Sequence, residues 1–346
     1  MIKKRLPWKL LTAVCAAWLM AAAFSSLVRA DDAAPESAGV RIGLLNVDGH
    51  AWWFGGFFNP YDEARLEKNF PRAAERNRLI RGVALPFPNA RIVKVWGGDR
   101  KAAQEFAATY DHPEVVEKPE DMLGTIDAVM LVNAGGDGNG HLDLIRPFLE
   151  RGLPAYIDKP MAFTAKQARE IVALAQQHKA PVYSTSVLPH VAELNWLYRK
   201  EKLGKIHYVV SQGGTLIHGL LLNFASLGPG VVAVRNIGDK DREVVQLLKA
   251  DGAMGLVLVG ADIRDSLGGY FSVGLIGEND KIDPEPIRPN HFQYGAAVAM
   301  RNFLEMVRSG QPPVPYEQLI EQIEVYEAAR LSKERGGATV LLTELR

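Results

Sequence analysis

Cysteine is almost absent from this chain of 346 residues, which contains only Cys15, inside an apolar segment near the N-terminus. The rest of the chain therefore has no disulfide, no cysteine metal ligand and no thiol nucleophile. An excess of basic charge is also lacking, since 40 lysines and arginines are balanced by 40 aspartates and glutamates. Without a basic surface, neither nucleic acid nor an anionic membrane is expected as a partner.

The first thirty residues have the layout of a secretory signal. Four basic residues precede an apolar run from Leu10 to Leu27, and Val28-Arg29-Ala30 offers a small-residue cleavage site. We predict a signal peptide over residues 1–30, Sec-type export to the periplasm or the cell exterior, and no membrane attachment after cleavage. An uncleaved anchor and a lipoprotein acylated at Cys15 are the alternatives. Cleavage leaves 35 basic against 40 acidic residues, so the mature chain is mildly acidic.

The order of apolar runs predicts two domains after a linker at residues 31–39. Strand-like runs first alternate with helical patterns, which is typical of a doubly wound parallel sheet. From Ile206 onward strand-like runs follow one another with few helices between them, which indicates a mostly antiparallel sheet. We predict an α/β chain with a Rossmann-like dinucleotide-binding domain over residues 40–187. An α+β domain with an open sheet, for substrate and oligomer contacts, follows over residues 188–346.

The glycine fingerprint of dinucleotide-binding sheets is missing after the first strand-like run, Val40–Leu45. Asn46 and Asp48 stand where the first two glycines of Gly-x-Gly-x-x-Gly would stand, and Ala51 takes the third position. Glycines are used there because the backbone must approach a pyrophosphate at a helix N-terminus. An anionic Asp48 would repel that group unless the loop turns its side chain away.

Three other features allow two interpretations each. Asp99 follows a predicted strand and could bind a ribose hydroxyl or cap the next helix. The glycine-rich loop from Asn133 to His141 could wrap a ligand or only turn the chain. The aromatic run from Trp52 to Phe58 could stack on sugars or form a satellite core. It precedes an insertion at residues 59–90, which contains a charged helical segment at residues 61–81.

The stretch Ala155–Pro160 is the most informative one. An apolar strand ends in Asp158, Lys159 and Pro160, and the carboxyl ends of strands form the ligand crevice in such sheets. Lys159 is therefore a candidate for chemistry, with a surface lysine before a proline turn as the alternative. A capping box at Thr164–Gln167 predicts that a helix begins directly afterwards.

These features together resemble the Gfo/Idh/MocA family, the oxidoreductases related to glucose-fructose oxidoreductase and inositol dehydrogenase. The resemblance extends over about residues 40–335 and is most specific at residues 126–175, with Asp158 in place of the usual glutamate. It implies a NAD or NADP cofactor, a sugar or polyol substrate and hydride transfer. It also places Lys159 at the nicotinamide and substrate, and His218 matches the family histidine, whereas Gly214 replaces the aspartate four residues before it.

The predicted site follows from the strand-end positions and this resemblance. As catalytic residues we predict Lys159, which would position the substrate oxygen, and His218, which would move the hydroxyl proton unless it is a capping or core histidine. The cofactor-binding residues are predicted to be Asn46, Asp48, Gly49, His50, Asp99, Asn133, His141, Asp158 and Lys159. The substrate-binding residues are predicted to be Trp52, Trp53 and His190, and no metal is expected.

A second function stays open because the glycines at 46 and 48 and the aspartate at 214 are missing. An exported protein could keep the fold with altered or lost redox chemistry, as a lyase, a glycoside-cleaving enzyme or a sugar-binding protein. A metal-dependent hydrolase is disfavoured, since the histidines lack helical spacing and a paired acid. The choice between NAD and NADP stays open, because Asp99 disfavours the 2′-phosphate of NADP if it faces the ribose, whereas the neighbouring Arg100 could accommodate that phosphate. We expect a homo-oligomer, because an open sheet commonly needs a partner to cover it.

Overall fold

The computed structural model describes residues 39–79, 85–191, 200–239, 242–260, 271–287 and 289–346. The predicted signal peptide and nearly all of the predicted linker lie outside these ranges, so both stay predictions. Residues Val40–Arg346 form one compact unit that contains two sheets.

The first sheet is built from six parallel strands in the order β3-β2-β1-β4-β5-β6. These strands are β1 (Val40–Leu45), β2 (Ala90–Trp96), β3 (Glu114–Val115), β4 (Ala128–Leu131), β5 (Ala155–Ile157) and β6 (Val182–Tyr183). All four residues of β4 and all three of β5 are buried, as expected where helices cover both faces of a parallel sheet. The order reverses between β1 and β4, which opens a crevice at the carboxyl ends. The predicted Rossmann-like fold is confirmed.

Six helices accompany this sheet: α1 (Gly49–Phe58), α2 (Glu63–Asn69), α3 (Pro71–Leu79), α4 (Arg100–Thr109), α5 (His141–Leu149) and α6 (Ala165–His178). The charged helical segment predicted over residues 61–81 forms two helices, α2 and α3, with a break at Phe70. Pro71 causes the break, since the residue before a proline is disfavoured in helical conformation. The predicted capping box is confirmed at α6, where Thr164 Oγ1 accepts from Gln167 N at 3.2 Å.

The aromatic run after β1 forms α1, in which every residue from Ala51 to Phe58 is buried. A helix that is apolar all round must lie inside the molecule. Asn59 ends this helix and is itself fully buried. Its Nδ2 donates to the carbonyls of Ile92 at 3.0 Å and Tyr110 at 3.1 Å, and its Oδ1 accepts from Ile92 N at 2.9 Å. One side chain thus joins α1 to β2 and to the end of α4.

The second sheet has seven strands in the order β12-β11-β7-β10-β9-β8-β13. These are β7 (Ile206–Gly213), β8 (Val231–Gly238), β9 (Arg242–Lys249), β10 (Met254–Gly260), β11 (Ser272–Gly277), β12 (Lys281–Pro286) and β13 (Val340–Leu341). Its helices are α7 (Lys200–Leu203), α8 (Leu216–Leu227), α9 (Pro289–Ser309) and α10 (Tyr316–Glu334). β7 and β10 pair in parallel and the other neighbours pair antiparallel, so the predicted mostly antiparallel sheet is confirmed.

The two C-terminal helices tie the second sheet to the first. On α10, Glu327 Oε2 accepts from Ala165 N at 2.6 Å, which places a carboxylate at the favourable N-terminus of α6. On α9, the side chain of Gln293 accepts a hydrogen bond from the indole of Trp53. The domain boundary predicted between residues 187 and 188 lies between β6 and β7 and stays a prediction. Across the described ranges, no helix combines the length and the apolar character that a membrane span requires.

Candidate functional site

A cavity of about 460 Å³ lies at the carboxyl ends of β5 and β6, a volume within the range of small-molecule sites. Its walls come from α1, α3, the two strand ends and the start of α8, so distant parts of the chain meet there. Five of the predicted site residues line it: His50, Trp53, Asp158, Lys159 and His218.

Asp158 is 1% exposed and lines the cavity. Its Oδ2 accepts from His50 Nδ1 at 2.6 Å and from Asn133 N at 2.9 Å, and its Oδ1 accepts from Lys159 N at 2.8 Å. Burial alone would raise the pKa of this carboxyl, but the charges of His50 and Lys159 and the N–H donors hold it well below its usual range. Asp158 therefore stays ionised and fixes the His50 ring.

Lys159 is 3% exposed, and its side chain reaches the cavity from the end of β5. Its Nζ donates to the carbonyl of Ala134 at 2.8 Å, in the loop after β4. Because a lysine ammonium carries three N–H donors, this bond fixes the group without exhausting its capacity to bind an oxygen. Lys159 can therefore orient and polarise a hydroxyl or carbonyl placed in the cavity.

His218 enters the cavity from the first turn of α8, and its Nδ1 lies 3.0 Å from Ser186 Oγ. The ring also packs edge to face on Phe271, with 5.5 Å between the ring centres. Burial and then the positive charge of Lys159 hold the pKa of His218 well below its usual value. The imidazole is therefore neutral at neutral pH and can accept a proton.

His50 offers a second imidazole in the same cavity, from the first turn of α1. Its Nδ1 is engaged by Asp158, and its ring packs on Phe54 with 5.1 Å between the centres. A carboxylate on one ring nitrogen fixes the orientation of the ring. The structure thus places a histidine and aspartate pair beside the lysine and His218.

The loop after β1 replaces the missing glycines with side chains that fold back on the protein. Asn46 adopts the left-handed conformation at φ 73°, which asparagine tolerates better than most residues, and its Nδ2 donates to Val132 O at 3.0 Å. Asp48 caps α1, because its Oδ1 accepts from His50 N at 2.9 Å. Its Oδ2 accepts from the backbone N–H of Ala134.

This capping bears directly on whether a dinucleotide fits the site. In sheets of this kind the pyrophosphate binds the N–H groups at the first helix N-terminus. Here the carboxylate of Asp48 binds the N–H groups of His50 and Ala134 instead. Lys159 and His218 fit a nicotinamide and a substrate hydroxyl, whereas the diphosphate end fits once the Asp48 side chain turns away from the helix. We therefore expect the Asp48 carboxylate to compete with a diphosphate for these N–H groups.

Six predicted cofactor-binding residues lie outside the cavity lining: Asn46, Asp48, Gly49, Asp99, Asn133 and His141. Asp99 caps α4 through a 2.9 Å bond from Lys101 N, and its neighbour Arg100 pairs with Glu117. Asn133 and His141 contact each other, with 3.2 Å between Nδ2 and Nε2. His141 is buried and its pKa is lowered, mainly because burial disfavours the charged ring. Gly49, also predicted to bind cofactor, begins α1. The cofactor roles of all of them stay predictions.

Two predicted substrate-binding residues also lie away from the cavity. Trp52 packs edge to face on Phe106, with 5.6 Å between ring centres. It lies on the side of α1 that faces α4. His190 is buried and its Nε2 lies 2.9 Å from the Tyr183 hydroxyl. Neither residue lines the cavity, whereas Trp53 does, so the structure separates the two adjacent tryptophans.

Sequence reasoning missed Ser186 and the arginines of α3. β6 ends at Tyr183, which puts Ser186 just beyond the carboxyl end of that strand, in the lining of the cavity that also contains Lys159. Arg72 and Arg76 are four residues apart and share a helix face, but only the fold of the insertion turns that face to the cavity.

The fold and this site define a class of protein: a chain with a Rossmann-type sheet and a second sheet, whose cavity lies between the strand ends of the first and helix α8 of the second. Residues 74–186 match the model of an oxidoreductase family with an NAD-binding Rossmann fold, GFO_IDH_MocA. This part of the chain is therefore similar to the Gfo/Idh/MocA oxidoreductases. The match begins inside α3, so it leaves out the loop with Asn46 and Asp48.

Individual relatives are distant. The trans-1,2-dihydrobenzene-1,2-diol dehydrogenase of Xenopus laevis is 23% identical over 137 residues, which are 39% of this chain. The chain thus spans 41% of the length of that relative. The structure is similar to scyllo-inositol dehydrogenase from Lactobacillus casei with bound NAD(H) and scyllo-inositol, with TM-score 0.68 and 14% identity over 88% of this chain and 99% of that one. The structure is also similar to myo-inositol dehydrogenase from Corynebacterium glutamicum, with TM-score 0.64 and 17% identity. That similarity covers 88% of this chain and 99% of that one.

Proposed function

We propose that this protein is an NAD(P)-dependent oxidoreductase that interconverts a hydroxyl and a carbonyl group on a sugar or polyol. The observation that carries the proposal is that Lys159, from the first sheet, and His218, from the second sheet's α8, line the same cavity. The match of residues 74–186 to the oxidoreductase family model supports the proposal, and so does the similarity to a structure that contains NAD(H) and scyllo-inositol.

Lys159, His218 and Asp158 each have a defined task in this reaction. Lys159, fixed by Ala134 O, binds the substrate oxygen and stabilises negative charge on it. Neutral His218, held by Ser186, accepts the proton of the substrate hydroxyl. The carbon that carries this hydroxyl loses a hydride, so that a carbonyl group forms. When bound, the nicotinamide supplies the hydride acceptor. Asp158 stays ionised, holds His50 and keeps the local charge near Lys159 balanced.

A second candidate function is favoured by Asp48. Because its carboxylate already binds the N–H groups that a pyrophosphate would use, the same cavity could bind a carbohydrate without redox chemistry, or with altered redox chemistry. In that case the protein would bind a sugar at Lys159 and His218, or it would cleave a glycosidic bond or catalyse an elimination there. The two functions differ in whether a nicotinamide cofactor is turned over.

Replacement of Lys159 by alanine tests the proposal. NADH formation from NAD with a panel of polyols is measured by absorbance for the unchanged protein and for Lys159→Ala. A loss of about 100-fold or more is expected, since a positioned polar group typically contributes 10²–10⁴-fold. Lys166→Ala, which removes an exposed lysine seven residues away on α6, is the matched control and should leave the rate unchanged. Equal rates for both variants would refute the role of Lys159.

A further inference from the structure

The α3 wall of the cavity is rich in positive charge. Arg72, Glu75 and Arg76 all line the cavity, and their spacing of three and four residues places them on one helix face. This helix belongs to the long insertion between β1 and β2, so it is an addition to the sheet rather than part of its dinucleotide-binding core. A side chain that reaches the cavity from an insertion is well placed to select a substrate.

Arg76 is held in position by an aromatic platform. Its guanidinium carbon lies 4.1 Å from the centre of the Trp53 ring, an arrangement that attracts a cation to the ring face. Trp53 is only 2% exposed and donates its indole N–H to Gln293 on α9, so the platform itself is rigid. A guanidinium fixed in this way loses little conformational entropy when it binds a ligand.

The charge of Arg76 is not neutralised by the protein groups seen around it. Among the residues that the structure describes, neither Arg72 nor Arg76 forms an ion pair, whereas Arg78 on the same helix pairs with Glu67 at 2.7 Å. Burial and then repulsion by Arg72 lower the pKa of Arg76, and Glu75 only partly offsets this. Arginine nevertheless remains charged in proteins, so an anionic ligand group would compensate a half-buried cation here.

The other charged groups in the cavity reinforce this imbalance. Lys159 adds a third cation, and the carboxylate of Asp158 is already bound by three N–H donors. Glu75 is the other acid on the wall, and it is exposed. The cavity therefore offers one site for a hydroxyl, at Lys159 and His218, and a second site for an anion, at Arg76.

From this arrangement we infer that the substrate is a sugar acid or another polyol that carries a carboxylate, and that Arg76 binds this carboxylate while Lys159 and His218 act on a hydroxyl of the same molecule. The inference rests on the proposed function and adds the class of substrate to it. Guanidinium groups suit carboxylates because two parallel N–H donors match the two oxygens.

A phosphate of the dinucleotide is the other anion that Arg76 could meet, and the experiment must separate the two. Binding is measured by calorimetry for two matched pairs that differ in the acid group, D-glucuronate with D-glucose and D-gluconate with D-glucitol. NADH is titrated in a separate experiment. The variants are Arg76→Gln and, as the matched control with the same loss of charge on the same helix, Arg78→Gln.

The expected result has three parts. At least one acid binds ten-fold or more tightly than its neutral partner, Arg76→Gln abolishes that preference, and NADH affinity stays within two-fold in both variants. Arg78→Gln keeps the preference, because Arg78 is tied to Glu67 outside the cavity. Glu75→Gln should strengthen acid binding, since it removes a negative charge from the same wall.

Three outcomes would overturn the inference. The first is that the neutral partners bind as tightly as the acids, and the second is that neither acid binds at millimolar concentration. The third is that Arg76→Gln loses affinity for NADH rather than for the acids. Failure of the proposed function is distinguished from failure of the inference by the NADH titration of the unchanged protein. If NADH does not bind to the unchanged protein but an acid does, the anion site stands and the redox proposal falls.

Discussion

At the scale of single residues, the site depends on how burial and neighbouring charges set the protonation of two groups. Asp158 is buried yet ionised, because three donors and a nearby cation outweigh the loss of water. His218 is buried and neutral, because both burial and Lys159 disfavour its charged form. A neutral imidazole beside a fixed ammonium and a fixed anion is a suitable arrangement for proton transfer from an alcohol.

The protonation of His218 can be measured directly. Its ring signals in NMR, assigned by comparison with His218→Asn, should titrate well below pH 6.5, whereas the denatured chain should titrate near that ordinary value. The unfolded state then binds the proton of His218 more readily than the folded state does. The contribution of His218 should therefore lower the free energy of unfolding as the pH drops below 6.5, and it should not change above that pH. A folded-state midpoint at or above 6.5 would contradict the description of His218 as a buried base.

Asp48 gives a second test at this scale. Replacement by glycine frees the N–H groups of His50 and Ala134 and removes a negative charge from the phosphate position. We expect Asp48→Gly to bind NADH about ten-fold more tightly or better, a change of about 1.4 kcal/mol. The cost to the α1 cap should be small, since glycine is an acceptable N-cap residue.

Asp48→Asn separates charge from shape. The amide oxygen can still cap α1, so this variant should improve NADH affinity less than glycine does. Both affinities are measured by calorimetry against the unchanged protein. Unchanged or weaker binding in Asp48→Gly would mean that the capped carboxylate does not compete with the cofactor.

At the scale of elements, buried polar side chains connect pieces that the chain order keeps apart. Asn59 is the clearest case, since its amide makes three bonds to the backbones of β2 and the end of α4. On α8, Asn223 is equally buried and bonds to Val209 O and Leu256 O, which lie on the parallel pair β7 and β10. Such amides fix the position of a helix on a sheet more specifically than apolar contacts do.

Asn59→Ala tests this role. It leaves one backbone N–H and two carbonyls without their partner in a fully buried place, so a loss of about 2–4 kcal/mol in the free energy of unfolding is expected. Urea denaturation measures it. Asn69→Ala is the control, because that half-buried amide makes one long bond of 3.5 Å to Thr109 and should cost less than about 1 kcal/mol. Equal losses in the two variants would show that Asn59 does not join these elements.

The sequence predicted elements where their patterns were local. The strand and helix alternation up to β6 is visible because amphipathic helices separate fully apolar strands, and the α6 capping box lies within four residues. α1 could not be recognised, because a helix that is buried on all sides has no apolar periodicity. β12 and β13 were not predicted, since β12 contains prolines and β13 has two residues.

The site was predictable to the same extent. Lys159 could be located because strand-end position follows from the order of elements alone. The capping of α1 by Asp48 depends also on Ala134, 86 residues away, and a single sequence does not reveal such a contact. The contribution of Arg76 depends on how the insertion packs against α1, and no motif encodes that packing.

At the scale of the whole molecule, the second sheet supplies part of the site and also a large surface. His218 comes from its helix α8, and large apolar side chains exposed by 40–49% lie on its strands: Tyr208, Val232, Ile237, Leu248, Ile276 and Leu341. Exposed apolar area of this kind is consistent with the predicted homo-oligomer, which light scattering on the purified protein would test. We expect the dinucleotide at the other sheet, at the carboxyl ends of β1, β4 and β5.

The most direct test of that claim is a calorimetric titration of the purified protein with NADH and with NADPH. We predict saturable binding of at least one of them with one site per chain. We also predict that Lys159→Ala retains binding while losing turnover, because Lys159 acts on the substrate oxygen. No detectable binding of either nucleotide at millimolar concentration, in the unchanged protein and in Asp48→Gly alike, would contradict the account and leave a carbohydrate site without redox chemistry.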